Sequence, residues 1–317
     1  MKKHFLQSEA WEGFQRKLGE ETVRLEGEKF EALAIVKKTR VGAYLYVPYG
    51  PALDEEDPQR GLDEAVRALE GLGRERRAMF VRVEPCVALE AAEMRERGFV
   101  KTKDLSPRET LVYDLKPTEE EILRDLAKKA KRGQRYFLDL AARGLEVEVS
   151  KKPEDVRILT DLQGKLAKRK KIGVFDEEYF KKQLAEPFAS LYIVRYKEEE
   201  ESRPIAAVLV FDGEKTRYYM QAANDKEYNR LSAPTVAVVR AILDAKEKGL
   251  EEFDFWGIAP EGAPADHPWA GFTAFKRTFG GEERKYAGTW DLVLDRGRYR
   301  LYKGLRRVNR GLRKIRR

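Results

Sequence analysis

Glu252-Phe253-Asp254-Phe255-Trp256-Gly257-Ile258 is followed, after a proline-rich loop, by Phe272-Thr273-Ala274-Phe275-Lys276-Arg277-Thr278-Phe279-Gly280-Gly281. The first run reads as a hydrophobic strand that ends in a glycine turn, and the second as a helix around 269–279. Phe272, Phe275 and Phe279 fall at i−4, i−1 and i+3 of Lys276, which predicts an aromatic stripe along one flank of that helix. Two readings are open for the lysine. Either it snorkels out of an aromatic core, or it is a fixed cation that binds phosphate or carries negative charge developing on a carbonyl. Asp254 lies inside the aromatic strand, where an unpartnered carboxylate is costly, so it makes either a structural hydrogen bond or a substrate contact.

Working outward, the chain reads as one order of elements repeated twice. Strands at 32–36 and 42–47 form a hairpin, and a helix with Leu62, Val66 and Leu69 on one face follows. Then come a strand at 78–83, a helix at 87–97 and a strand at 110–115. In the second half, strands at 190–196, 204–211 and 216–220 precede a helix from Ser232 to Lys248, which has Ser232 as its cap and Gly249 as its stop. The strand at 252–256, the helix around 269–279 and a strand at 286–294 complete the order. Between the halves lies a helix-rich segment opening at Thr118-Glu119-Glu120-Glu121, followed by an alternating strand at 145–149 and a helix at 153–170. The repeat predicts two related α/β domains with mixed sheets flanked by helices. The boundary falls near Lys116-Pro117: residues 1–116 form the first domain and 117–295 the second. The helix of about 296–317 packs back on the first.

Length and composition narrow the functional classes. The 317 residues suffice for two cores, and 42% hydrophobic content supplies them. No apolar run of about 18 residues is present, so no membrane-spanning helix is expected. The basic start Met1-Lys2-Lys3-His4 has no apolar stretch after it, unlike a secretory signal. A single cysteine, Cys86, excludes internal disulfides and points to a reducing cytoplasm. With two histidines besides, no His/Cys metal site and no metal are expected. Neither a Gly-x-Ser-x-Gly elbow nor a Walker loop occurs, and Gly71-x-Gly73 does not open a strand-to-helix turn.

The net charge of +8 is uneven. Residues Arg296–Arg317 hold eleven Lys/Arg and no Asp or Glu. Lys128, Lys129, Lys131, Arg132 and Arg135 make a second cluster, and Lys168-Arg169-Lys170-Lys171 a third. Together they favour an anionic partner: nucleic acid, a nucleotide-linked substrate or an anionic membrane. In the tail, Leu301, Leu305, Val308, Leu312 and Ile315 keep helical spacing against a face of Arg and Lys. Docking on the protein, RNA phosphates and an anionic membrane are all open to it.

The run Phe253–Ile258, Phe275-Lys276 with Phe279-Gly280-Gly281, Tyr286-x-Gly288 and Asp291-Leu292-Val293 resembles the FemABX family of non-ribosomal peptidyltransferases. These build the interpeptide branches of peptidoglycan. Phe5-Leu6-Gln7-Ser8 with Trp11, Tyr46-x-Pro48-x-Gly50-Pro51, and Ala167-x-Arg169 leading to Tyr179-Phe180 agree, in order, over nearly the whole chain. The resemblance implies two tandem acetyltransferase-like (GNAT) domains, here with no long coiled-coil arm. It implies transfer from aminoacyl-tRNA, as co-substrate and without a further cofactor, to the stem-peptide amine of a peptidoglycan precursor. Lys276 takes the catalytic role by this resemblance. Phe275, Asp254, Tyr219, Tyr179, Glu84, Arg169, Gln221 and Trp256 form the substrate-binding set. Lys128, Lys129, Lys131, Arg132, Arg306, Arg307 and Arg310 form the surface for tRNA or another polyanion. Gln15 and Phe175 stand where members using a nucleotide-linked precursor have a lysine and an arginine, which leaves a lipid-linked acceptor open. A monomer in the cytoplasm, peripheral to the inner membrane face, is the expected form. An acyl-coenzyme A-dependent N-acyltransferase is the alternative enzyme, although no pyrophosphate loop appears in either half. A non-catalytic RNA- or membrane-binding protein is the alternative of a different class.

Overall fold

The structure, a computed structural model, describes residues 1, 3–129, 140, 143–170, 176–198 and 201–315. Among the described residues the chain forms two seven-stranded mixed sheets flanked by helices. It divides into two compact units, Met1–Arg108 with Lys285–Arg317, and Glu109–Arg284.

The first unit begins with α1 (Glu9–Lys17), capped by the Ser8 hydroxyl, which accepts from Trp11 N. Its strands are β1 (Glu21–Glu26), β2 (Phe30–Thr39), β3 (Gly42–Val47), β4 (Ala52–Leu53), β5 (Phe80–Val83), β6 (Phe99–Lys101) and β14 (Trp290–Val293). Helices α2 (Pro58–Glu75), α3 (Ala91–Glu96) and α9 (Arg296–Ile315) accompany them. The main sheet order is β1-β2-β3-β5-β14-β6, with β4 pairing β2. Leu62, Ala65, Leu69 and Leu72 of α2 pack with Val81, Val83, Phe99, Trp290 and Leu292 in one core.

The second unit holds β7 (Glu109–Asp114), β8 (Leu145–Ser150), β9 (Ala189–Glu198), β10 (Glu201–Asp212), β11 (Thr216–Asn224), β12 (Glu252–Gly257) and β13 (Glu282–Lys285). Its helices are α4 (Glu119–Lys129), α5 (Val156–Lys170), α6 (Glu177–Leu184), α7 (Ala233–Glu247) and α8 (Ala270–Arg277). The sheet order is β13-β7-β12-β11-β10-β9-β8. Strand β12 runs parallel to β11 on one side and antiparallel to β7 on the other. A parallel neighbour requires a crossover, and α7 provides it. The buried Val236, Val238, Val239 and Ile242 of α7 lie in the core that holds Phe253 and Phe255. Burial of each such side chain stabilises by about 1.5–3 kcal/mol relative to exposure.

Both units repeat one motif with the last strand exchanged. In the first, β5 lies between parallel β3 and antiparallel β14; in the second, β12 lies between parallel β11 and antiparallel β7. The strand at 110–115, expected to complete the first half, therefore belongs to the second sheet, and the strand at 286–294 belongs to the first. The division falls at 108/109 and again at 284/285 rather than at Lys116-Pro117. The reason lies in side-chain partners: Leu111 and Tyr113 enter the core of Phe253 and Phe255, whereas Trp290 and Leu292 enter that of Val81 and Val83. Helix α9 packs on the first unit through Tyr299 and Tyr302, which join Met79 and Phe80. Ser232 adopts a left-handed backbone (φ 53°) and makes no side-chain cap, so the expected serine cap of α7 is absent. No helix among the described residues is long and apolar enough to cross a membrane.

Candidate active site

The site grows from an irregularity in β12. Its parallel pairing with β11 covers only Thr216↔Glu252, Arg217↔Phe253 and Tyr218↔Asp254, after which the two strands part. On the β7 side the register shifts between Asp254 and Gly257. Such a bulge bends a strand and turns its backbone groups outward. Within it Trp256 has φ 61°, a left-handed conformation unusual for a bulky residue.

Asp254 holds this conformation. Its Oδ1 accepts hydrogen bonds from Trp256 N at 2.7 Å and from the Thr110 hydroxyl. The carboxyl is 4% exposed. Burial pushes its pKa up to about 6, opposed by the hydrogen bonds from Thr110 and Trp256 and by the charges of Arg284 and Lys276. Of the two readings open for Asp254, the structural hydrogen bond is therefore present, and it shapes the turn that presents Gly257.

Lys276 meets that turn. Its Nζ donates to Gly257 O at 2.6 Å and lies 5.5 Å from the centre of the Tyr219 ring. The residue is 8% exposed, on the same buried face of α8 as Thr273, so it does not snorkel to the surface. Thr273 ties α8 to the turn, its hydroxyl accepting from Ala259 N at 2.7 Å. Burial pushes the lysine pKa down to about 8, against the pull of the Asp254 charge. At pH 7 roughly nine-tenths of such an amine is still protonated. The result is a largely dehydrated ammonium with one carbonyl acceptor, an aromatic face and remaining N–H donors. It can hold an oxyanion, a phosphate oxygen or a carbonyl that gains negative charge.

The aromatic framework differs from the predicted stripe. The Phe279 ring lies 5.2 Å from that of Phe255, tilted, and 5.2 Å from that of Phe275, edge-to-face, and Phe255 lies 6.2 Å from Tyr219. Phe272, in the first turn of α8, is 50% exposed and stands apart from that buried face. After α8, Gly280 and Gly281 have φ of 81° and 102°. A Cβ on Gly281 would lie 2.5 Å from Val112 O, so the strand β13 can approach β7 only with glycine there.

The structure thus joins Lys276, Asp254, Tyr219, Trp256 and Phe275 in one neighbourhood. Trp256 adds an edge-to-face contact with Tyr218 at 5.9 Å. Gln221 lies two residues beyond Tyr219 on β11 and accepts from Gln163 Nε2 at 3.3 Å. Tyr179 is on α6, in ring contact with Phe180. Glu84 belongs to the first unit and is buried. Its carboxylate accepts from Tyr46 OH, Ser106 N, Ser106 Oγ and Thr289 Oγ1, at 2.7–3.1 Å, which fills its lone-pair positions. That arrangement makes Glu84 a structural clasp. Sequence reading missed Thr110, Thr273 and the Gly257 carbonyl, for which no local signal exists.

Among the polyanion candidates, Lys128, Arg306 and Arg307 are exposed, and Arg306 donates to Tyr302 OH at 2.9 Å. Lys131 and Arg132 lie outside the described residues, as do the side chains of Lys129, Arg169 and Arg310. Gln15, expected at a nucleotide-binding position, is buried in α1, and Phe175 is outside the described residues. Among the described residues no group of His, Cys, Asp and Glu side chains is placed to hold a metal ion.

A solved structure of FemX superposes with a TM-score of 0.79 at 17% identity, covering 94% of this chain and 94% of that one. L-PGS from Bacillus licheniformis gives a TM-score of 0.56 at 16% identity, over 90% of this chain and 91% of its own. The C-terminal domain of a putative lysylphosphatidylglycerol synthetase from Agrobacterium fabrum gives 0.54 at 16% identity, over 95% and 93%. At these identities the likeness is one of fold. No curated protein matches the chain significantly. The FemAB family model matches residues 1–104 and 190–307, a span that takes in β12, α8 and Lys276, and the chain belongs to the FemAB family.

Proposed function

We propose that this protein transfers an amino acid from aminoacyl-tRNA to the stem-peptide amine of a peptidoglycan precursor. Membership of the FemAB family carries the coarser part, an amide-forming aminoacyltransferase of peptidoglycan interpeptide bridges at the family level. The observation that supports the chemistry is the buried Lys276 ammonium, anchored on Gly257 O where β12 departs from β11.

In the proposed reaction the acceptor amine attacks the carbonyl carbon of the aminoacyl ester. A C–N bond forms, the carbonyl oxygen becomes an oxyanion, and the ester C–O bond then breaks. The proton leaving the amine ends on the ribose oxygen released with the tRNA. Charge appears on the carbonyl oxygen only along this path, so a preorganised cation lowers the barrier without gripping the ground state. Tyr219 and Gly257 O hold Lys276 in place, and the Asp254 charge keeps it protonated near neutral pH.

The test is to incubate the protein with a panel of charged tRNAs, with acyl-coenzyme A, and with soluble and lipid-linked precursors. Amide formation from a charged tRNA alone supports the proposal. Transfer from acyl-coenzyme A instead would replace it with the alternative enzyme. The same panel names the amino acid and the acceptor.

A further inference from the structure

We propose that α9 seats the protein on an anionic bilayer surface, with Leu301 and Leu305 entering the headgroup region and the flanking Arg and Lys residues against lipid phosphates. The proposal does not rest on the transfer reaction.

Helix α9 uses one face to hold the first unit. Tyr299 OH donates to Asp291 Oδ2 at 2.8 Å, and the rings of Tyr299 and Tyr302 lie 5.2 and 5.1 Å from Phe80. Lys303 Nζ adds a bond to Thr102 Oγ1 at 3.1 Å. The docking contacts are thus aromatic and polar, and they do not use the leucines. Leu301 is 54% exposed and Leu305 42% exposed. Spaced four apart, they share a helix face, roughly 110° around the axis from the mean direction of the tyrosines. The helix runs to Ile315, and in the sequence Val308, Leu312 and Ile315 continue the leucine spacing.

An apolar row left in water on a securely docked helix calls for a partner that accepts hydrocarbon. The charge says which kind: the segment Arg296–Arg317 has eleven Lys/Arg and no carboxylate side chain. RNA would meet the basic residues and leave the leucines wet, and a protein core would reject the surrounding arginines. An anionic membrane surface satisfies both, with apolar residues at the acyl boundary and basic ones among headgroups. Long basic side chains reach those headgroups while their stems line the apolar row.

The experiment is co-sedimentation of the full chain with vesicles of phosphatidylglycerol and phosphatidylcholine in equal parts, and with pure phosphatidylcholine. Binding is expected to the anionic vesicles only and to weaken as salt rises. Leu301→Ser with Leu305→Ser leaves the charge unchanged and removes two exposed side chains, so melting is expected unchanged and vesicle affinity at least about tenfold weaker. Leu301→Trp gives a second reading: its emission shifts to shorter wavelength on anionic vesicles, relative to the parent protein. Three results would overturn the proposal: undiminished binding by the double serine variant, equal binding to neutral vesicles, or RNA binding with no vesicle binding.

Discussion

Each unit buries a carboxylate of its sheet near a cation, Arg82 on a strand of the first and Lys276 on helix α8 of the second, and the two arrangements differ in whether the charges touch. In the first unit Arg82 and Asp291 meet directly, Nε to Oδ1 at 2.7 Å and Nη2 to Oδ2 at 2.8 Å, both almost fully buried. Burial works against the guanidinium charge, yet the hydrogen bonds and charge of Asp291 more than offset it, and the pKa of Arg82 is raised. In the second unit Asp254 and Lys276 do not touch. Each takes other partners: Thr110 and Trp256 N for the carboxylate, Gly257 O for the amine. Burial then dominates, and the two pKa values converge on neutrality, up to about 6 and down to about 8. Direct contact with a carboxylate holds the guanidinium in its charged form, and the pair serves structure. A pair held apart under burial retains donors and titrates within the working range, which suits chemistry.

The largest effect is expected from breaking the direct pair. Arg82→Met strands Asp291 as a buried, uncompensated charge and should lower unfolding free energy by about 3–5 kcal/mol, measured by urea denaturation. Lys276→Met should act in the opposite sense on the two observables. Removing a buried ammonium without a direct counterion leaves stability unchanged or higher. Transfer should fall by about 10²–10³ in single-turnover rate, since one oxyanion donor is lost. Wild-type transfer by this variant removes Lys276 from the mechanism and returns it to the core.

Asp254→Asn sharpens the comparison further. Asparagine still accepts from Trp256 N, so the turn persists, but the negative charge that raises the lysine pKa is gone. In the parent protein the rate should fall above pH about 8, as Lys276 loses its proton. In the variant the alkaline limb moves to lower pH, and the rate just above neutral pH falls with it. A purely structural Asp254 would leave the alkaline limb in place. The smallest effect belongs to Tyr219→Phe, which keeps the ring beneath the ammonium and should change the rate by less than about twofold. Tyr219→Leu removes the ring and should cost about tenfold more.

Much of this was legible in the chain. The strand expected at 252–256, the helix expected around 269–279 and the glycine pair after it follow from hydrophobic pattern and turn chemistry, and the structure contains them as β12 (Glu252–Gly257) and α8 (Ala270–Arg277). The repeated α/β order was visible for the same reason. The exchange of β7 and β14 was not, because local pattern says that a segment is a strand without saying which sheet completes it. The amphipathic tail shows the same limit. Its leucine spacing showed an apolar face and left the partner of that face open, whereas in the structure Tyr299 and Tyr302 perform the docking and Leu301 and Leu305 remain outside.

By itself, then, the sequence determined the elements, the duplicated motif and the presence of one lysine within an aromatic helix, since these depend on neighbours a few residues apart. Only the tertiary structure decided that Lys276 is buried rather than snorkelling, and that Asp254 clasps a left-handed Trp256 instead of pairing with Lys276. Burial, bulge geometry and the choice between a carbonyl and a carboxylate as partner arise from contacts between residues such as Thr110, Tyr219, Asp254 and Lys276, far apart in the chain, and those contacts set the charge state of the site.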